Sequence, residues 1–500
     1  MIRRLLIANR GEIAVRIARA CRELGIESVA VYSDADVGAA HVAVADRAVR
    51  VGSPPALVSY LNMAALLDAA RATESDAVHP GYGFLSENSG FAAACRDAGL
   101  TFVGPSPEAI ARMGSKIDAR VLATSAGVEV VPGRTPTDQS DEGVMAAIES
   151  VGLPALVKAS AGGGGRGMRQ VHALADAREA VQAARREAQA AFRDGTLYVE
   201  RLIERPHHVE VQVLADTRGN VLHLFERECS VQRRHQKVIE ESPSPNLTPA
   251  LRQRMTDAAI RATRAAGYVN AGTFEFLVDL TGGAGDDVPF YFLEMNTRLQ
   301  VEHPVTEHVV GVDLVRAQLL VASGQPVPWT QSSLTQRGHA IEARVYAEDP
   351  ANGFVPQAGR LLLYREPVMP GIRIDSGFRE GDTVSVHYDP LLAKVIATAE
   401  TRDLAIRRLV TALRAFPVLG IRTNIPFLVR VLESSPFSAG RIHTGFLDDE
   451  GAFLSAVEPE PPPEFLRSVL DAVERESIPS NSAAPAGWDP WDGAASWSVR

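Results

Sequence analysis

Nine consecutive residues, Glu294-Met-Asn-Thr-Arg-Leu-Gln-Val-Glu302, constrain this chain more than any other stretch. A strand alternates its faces with period two, so the spacing predicts Glu294, Asn296, Arg298, Gln300 and Glu302 on one face. Met295, Thr297, Leu299 and Val301 fall on the other. Alternation alone also suits an ordinary solvent-facing strand. What favours a lined cleft is the preceding run, Asn270 to Asp279, with the Gly- and Asp-rich segment Thr281 to Asp287 between the two as a hairpin tip. Antiparallel pairing brings Glu275 near Glu294, where like charges oppose each other at a cost unless a cation sits between them. Oxygen ligands from Glu275, Glu294 and the Asn296 amide, with positions open to water and phosphate, suit Mg²⁺ better than an all-protein Ca²⁺ cage. No His/Cys cluster competes for zinc.

The remainder reads as scaffolding for that stretch. Residues 1–112 alternate strand and helix: Leu5 to Ala8, Glu12 to Leu24, Glu27 to Tyr32, then Tyr60 to Ala70, Ala77-Val78, Phe91 to Ala98 and Thr101 to Val103. This is a doubly wound layer. It lacks GxGxxG, so a dinucleotide site is not supported. In His79 to Asn88, Gly81 and Gly83 permit turns that a substrate can approach, with a purely structural turn as the alternative. Residues 113–203 open on a helix carrying Lys116 and continue into the strand Ala155 to Lys158. Ser160-Ala-Gly-Gly-Gly-Gly-Arg-Gly-Met168 follows, with bare backbone N–H groups suited to folding over phosphates. A flexible linker is the alternative, disfavoured by its place between two β-runs. The GK[ST] ending of a P-loop is missing, which leaves Lys158 as the phosphate cation. A helix over Leu174 to Ala190 and a strand over Leu197 to Glu200 close this unit, with Glu200 to Ile203 as a hinge.

In residues 204–335 the alternation of His208 to Val213 sets His208, Glu210 and Gln212 opposite the valines; a satisfied half-buried histidine is the commoner explanation of such a His. Arg233, Arg234, His235 and Lys237 cluster in a chain of net charge −10. They form either a solvated charge run or, beside a metal–carboxylate site, an anion clamp. Residues 336–448 read as α+β, with strands Ile341 to Tyr346, Arg360 to Tyr364 and Leu392 to Ala397. From 449 to 500 the character changes to a Pro-rich linker, Glu458 to Glu464, followed by a short helix over Phe465 to Glu476 and linker-like sequence. The acidic balance without a basic segment argues against nucleic acid, and no apolar run approaches the roughly 18 residues of a membrane span. Cys21, Cys95 and Cys229, few, odd in number and far apart, point to a reducing cytoplasm.

The segments Ile7 to Ala14, His79 to Asn88, Lys158 to Met168, His208 to Gln212, Gln232 to Lys237, Phe274 to Phe276, Glu294 to Pro304 and Arg344 to Pro350 occur together in one order. In this the chain resembles biotin carboxylases of the ATP-grasp superfamily over residues 1 to about 448, as the biotin carboxylase part of an acyl-CoA carboxylase α chain. The resemblance implies an N-terminal biotin carboxylase domain (1–112), an ATP-grasp lid (113–203) and core (204–335), and a C-terminal α+β domain (336–448). It further implies that Lys116, Lys158, the backbone of Gly163, Gly164 and Gly165, Glu200, Ile203, His208, Gln232 and His235 hold ATP, and that Glu275, Glu294 and Asn296 hold Mg²⁺ or Mn²⁺. Lys237, Arg298, Gln300, Val301, Glu302 and Arg344 are then expected to serve bicarbonate and biotin, with Glu302 as base, Arg298 clamping bicarbonate and Arg344 facing the ureido oxygen. The partners implied are a biotin carboxyl carrier domain, a carboxyltransferase subunit and a second copy of the chain. No Met-Lys-Met segment is present, so biotin is expected from another chain or a continuation of this one. Asp489-Pro-Trp491 resembles the entry to the linking domain of acyl-CoA carboxylase α chains. Two departures stand out: Ala161 in the glycine run, and a lengthened tip at Gly282 to Asp287. Two rival readings stay open at this level: another ATP-grasp ligase, of the carbamoyl-phosphate, urea or pyruvate carboxylase type, and a non-catalytic ATP-binding assembly module.

Overall fold

Short buried apolar runs build the first layer. In the computed structural model, which describes residues 1–160, 167–283 and 285–455, five parallel strands lie in the order Arg47–Gly52, Glu27–Ser33, Arg4–Ile7, Ala77–His79, Thr101–Phe102. The order reverses on either side of Arg4–Ile7, and in such sheets ligands bind beyond the carboxyl ends of the strands at the reversal. There Asn9 donates to the carbonyls of Pro80 and Tyr82, both at 2.7 Å. Gly81 has φ +64°, and a Cβ on it would lie 2.8 Å from the Asn9 amide nitrogen, so only glycine brings the two chain segments this close. The loop that follows carries Glu87 toward the central site.

A second, antiparallel sheet has the order Gly133–Arg134, Leu197–Arg201, Ala155–Ala159, Arg169–Val171. Val157, Leu197 and Val199 pack against Val144 and Ile148 of the helix Asp141–Val151 and Val181 of Ala177–Phe192. The residues proposed as phosphate lid, Gly163, Gly164 and Gly165, and the departure at Ala161 lie outside the described residues.

The third sheet organises the rest. Its eight antiparallel strands run Phe290–Asn296, Asn270–Val278, His207–Ala215, Val221–Arg233, Gln236–Ser242, His339–Tyr346, Leu391–Ala399, Ile372–Ser376. One face of the first strands gives Val209, Val211, Val213, Phe274, Phe276 and Met295 to a core with Leu251, Met255 and Ala259 of the helix Pro249–Ala266. The other face is polar. At the far end Ala343, Val345, Ala393 and Val395 pack with Leu409 and Leu428 of the helices Arg402–Arg414 and Ile425–Glu433. The sheet therefore runs without a break across residue 335, where the sequence suggests a boundary, and the helix Phe446–Ser455 passes residue 448. The linker expected beyond it lies outside the described residues from 456 onward. Among the described residues no helix is long and apolar enough to cross a membrane.

Two expectations are corrected. The strand ends at Asn296 and does not continue to Glu302. Met295 belongs to the core under the sheet, whereas Leu299 packs with Leu5, Ile7 and Leu314 in a different one. No single strand face serves two cores, so Thr297 to Glu302 run as a loop into the helix His303–Val310, which carries Pro304 in its first turn. The expected strand Arg360 to Tyr364 is split into Gly359–Arg360 and Leu363–Tyr364, which pair with different partners. Leu361 between them is buried while Leu362 is exposed.

Candidate active site

The hairpin Asn270–Val278/Phe290–Asn296 sets Glu275 directly opposite Glu294 in the ladder, and His207–Ala215 sets Glu210 opposite Glu275 on the other side. Glu210 and Glu275 thus share a buried face with Glu294 at its half-exposed edge, and Lys237 from Gln236–Ser242 offsets the repulsion among Glu210, Glu275 and the nearby Glu302. Its Nζ lies 2.6 Å from Glu210 Oε2, 2.9 Å from Glu275 Oε1 and 2.7 Å from Glu302 Oε1. Burial alone would lower the Lys237 pKa, but Glu210, Glu275 and Glu302 raise it well above its ordinary value. His208 is a satisfied buried histidine, as its alternation suggests: Nε2 meets Glu275 Oε2 at 2.8 Å and Nδ1 meets the Gln232 amide at 2.9 Å. Burial works against its charged form, and Glu275 outweighs burial and raises the pKa.

Among the described residues, two close-set groups of His, Cys and Glu side chains have the spacing of metal ligands, His208–Glu210–Glu275 and Glu210–Cys229–Glu302. In both, the Lys237 ammonium bonds to two of the three members and already supplies the cation. In the set Glu275, Glu294 and Asn296 that ammonium bonds only to Glu275. Asn296 donates to Glu275 Oε1 at 2.7 Å and its Oδ1 faces Arg298 Nη2 at 3.0 Å, while Glu294 lies at the cleft edge 3.5 Å from Lys116. Two carboxylates and an amide oxygen are hard donors that leave positions for phosphate, so the set fits a small divalent cation such as Mg²⁺.

On the lid side Lys158 and Arg120 both pair with the buried Glu200, and Ile203 is buried beyond them. His235 sits at the tip of the hairpin Val221–Arg233/Gln236–Ser242. Its pKa is lowered by burial, with Lys158 and His208 adding to the effect against Asp448, so the imidazole is neutral near pH 7. On the opposite side Arg298 Nε is 3.1 Å from Glu87. Arg344 donates through Nε to Glu240 at 2.6 Å and through Nη2 to Glu302 Oε2 at 3.0 Å. Burial would raise the Glu302 pKa, but Lys237, Arg344 and Arg227 outweigh it and hold the carboxyl well below its ordinary range. Burial dominates at Glu240 and pushes it up to about 7, against the pull of Arg344. Gln300 donates to Glu275 Oε1 at 2.8 Å, and the Val301 carbonyl accepts from Lys394 at 2.8 Å.

His208, Gln232, Lys237, Glu275, Asn296, Arg298, Gln300, Glu302 and Arg344 therefore form one hydrogen-bonded network; Glu294 with Lys116, and Lys158 with Glu200, border it. Sequence reasoning gave no role in the site to Glu210, Arg227, Glu240, Glu87 and Lys394. The signal for the first two was present, since Glu210 and Arg227 are cross-strand partners of opposite charge, but it needs the register of Val221–Arg233.

The chain matches the biotin carboxylase N-terminal domain family over residues 1–110, the carbamoyl-phosphate synthase L chain ATP binding domain family over 115–330 and the biotin carboxylase C-terminal domain family over 342–449. The biotin carboxylase of Halalkalibacterium halodurans is 48% identical over 447 residues, which cover 89% of this chain and 97% of that protein. The mitochondrial methylcrotonoyl-CoA carboxylase subunit alpha of Glycine max is 49% identical over 91% of this chain, but only 62% of that protein is matched. The chain thus spans about three fifths of the α subunits it matches. Among solved structures, the biotin carboxylase of Campylobacter jejuni in a β,γ-ATP complex has a TM-score of 0.86 at 42% identity, covering 90% of this chain and 99% of that one. The biotin carboxylase domain of Hydrogenobacter thermophilus 2-oxoglutarate carboxylase, in complex with MgADP, ADP and bicarbonate, has a TM-score of 0.88 at 41% identity, covering 92% of this chain and 100% of that one. With the three large sheets and the lysine-centred carboxylate cluster, these matches show that the chain belongs to the biotin carboxylase family.

Proposed function

We propose that this chain uses ATP and bicarbonate to carboxylate biotin presented by a carrier domain, as the first half-reaction of an acyl-CoA carboxylase. The observation that carries the reading is the Lys237 ammonium shared by Glu210, Glu275 and Glu302, with Arg344 on the second oxygen of Glu302. Lys116, Lys158, His208, Gln232, His235 and the backbone of Gly163 to Gly165 would take the nucleotide, with Glu200 and Ile203 at its border. A divalent cation on Glu275, Glu294 and Asn296 would neutralise phosphate charge as the γ-phosphoryl leaves.

Bicarbonate held by Arg298, Gln300 and the Val301 backbone loses its proton to Glu302 as one of its oxygens attacks the γ-phosphorus. ADP departs and carboxyphosphate forms. Both Glu302 oxygens are engaged by cations in the structure. When Lys237 turns to the phosphate, one oxygen is freed and one lowering influence is withdrawn, so Glu302 becomes a better base as the substrates meet. Carboxyphosphate breaks to CO₂ and phosphate, the phosphate removes the ureido N–H proton, and the nitrogen attacks CO₂. Arg344 meets the charge developing on the ureido oxygen, a role for which loss of the donor costs about 2.7 to 4 kcal/mol of barrier.

The same reading gives the chain a carboxyltransferase partner, a homodimeric state and, with all three cysteines free and buried, a reducing cytoplasmic setting. ATP cleavage measured with bicarbonate, with and without free biotin, tests it. Biotin should stimulate turnover, and an ATPase indifferent to biotin would contradict the assignment.

A further inference from the structure

Beneath the polar face lies a guanidinium that touches no cleft. Arg227, on Val221–Arg233, has no exposed surface, and its five N–H groups are all used. Nε bonds to Glu210 Oε1. Nη1 reaches Gln212 at 2.8 Å and Thr306 at 2.9 Å, and Nη2 reaches Thr273 at 3.2 Å and Gln300 Oε1 at 2.6 Å. The acceptors come from the adjacent strand His207–Ala215, from Asn270–Val278 one strand further, from the loop after Asn296 and from the helix His303–Val310.

Two of these bonds reach the proposed chemistry directly. Glu210 divides its carboxylate, one oxygen to Arg227 and the other to Lys237 at 2.6 Å. Gln300 divides its amide, the oxygen to Arg227 and the nitrogen to Glu275 Oε1 at 2.8 Å. Resting on the function proposed above, we infer that Arg227 is a positioning residue of the bicarbonate half of the site, fixing in one rigid fork the carboxylate that aims Lys237 and the amide orientation of Gln300. A planar five-donor group is needed for this; an ammonium has three donors and no fork. The same charge also helps to keep Glu302 ionised.

The test uses the full chain and the bicarbonate-dependent, biotin-stimulated ATPase, with separate saturation curves for bicarbonate and ATP. Arg227→Met should lower kcat/KM for bicarbonate by roughly a hundredfold, the scale of an ångström-sized misplacement. The KM for ATP should stay within about threefold, because most of the proposed nucleotide contacts do not touch Arg227. Arg227→Lys should recover little of the loss, and full recovery by Lys would overturn the fork argument. Removing a buried ion-pair partner is destabilising, so Thr306→Val and Thr273→Val, which keep the arginine and each remove one acceptor, provide a second arm. Each should reduce the same bicarbonate parameter by roughly tenfold while the chain stays folded, with a modest fall in melting temperature from the one buried N–H left unpaired. Unchanged bicarbonate parameters in both threonine variants, or in a folded Arg227→Met, would overturn the inference while leaving the functional reading intact. A wild-type chain without biotin-stimulated activity would overturn that reading and this inference together.

Discussion

Glu302 has both oxygens committed, one to Lys237 at 2.7 Å and one to Arg344 at 3.0 Å, in a site where burial alone would favour its neutral form. Glutamine keeps the shape and loses the proton acceptor. Glu302→Gln should therefore lower kcat by roughly 10²- to 10⁴-fold, the usual worth of a general base. ATP binding should change little, and steady-state kinetics with bicarbonate and ATP varied in turn will separate the two. Glu342 makes the opposite case. It lies opposite Glu240 in the ladder between Gln236–Ser242 and His339–Tyr346, fully buried, with neither carboxylate oxygen hydrogen-bonded. Burial raises its pKa well above the ordinary range, with Lys394 and Arg344 pulling down and Glu240 and Glu302 adding to the rise. A raised carboxyl binds its proton more tightly folded than unfolded, so its contribution falls as pH climbs from the ordinary carboxylate value toward the folded one. Glu342→Gln, neutral at every pH, should melt increasingly above wild type as pH is raised from 5.5 to 8.5. A constant difference across that range would contradict a buried neutral Glu342.

The hairpin Val221–Arg233/Gln236–Ser242 turns through Arg234 and His235 at φ +50° and +65°. Both are left-handed positions that side chains other than Gly and Asn occupy at a cost of about 1–2 kcal/mol each. Strain of this kind persists where function holds it. Replacing Arg234-His235 by Asn-Gly should raise the melting temperature and weaken ATP binding, read as KM for ATP; a stabilised variant with unchanged KM would remove His235 from the nucleotide site. The neighbouring hairpin shows what periodicity reveals. Alternation over Asn270 to Asp279 was enough to place Glu275 against Glu294, and the ladder pairs them directly. It failed beyond Asn296 because Leu299 answers to the core of the parallel sheet and a helix starts at His303, neither of which is written in the local alternation. Arg227 and Glu240 were hidden for a related reason. Each acquires meaning only from a strand partner distant in sequence, Glu210 for one and Arg344 with Glu342 for the other.

Lys394 shows how the layers are tied together. Fully buried on Leu391–Ala399, its Nζ lies 2.8 Å from the Val301 carbonyl, 3.3 Å from Glu12 and 3.6 Å from Asp375. Glu12 belongs to the first helix, Gly11–Glu23, and Asp375 to the last strand of the long sheet, Ile372–Ser376. One ammonium therefore joins the N-terminal layer, the C-terminal strands and the loop that presents Gln300 to Glu302. Lys394→Met leaves buried carboxylates without their cation and should cost about 3–5 kcal/mol by denaturant unfolding, with activity falling in whatever fraction remains folded. A loss below about 1 kcal/mol, the usual worth of an exposed pair, would show that the three layers do not depend on it. The whole arrangement exists, on this account, to bring a bicarbonate oxygen to the terminal phosphorus of ATP on one lysine-bridged carboxylate face. The most direct measurement follows that oxygen: fresh ¹⁸O-labelled bicarbonate, unlabelled water, ATP and free biotin, with the released phosphate analysed by mass. One ¹⁸O atom in each phosphate is the expected result, and phosphate carrying only oxygen from water would contradict it.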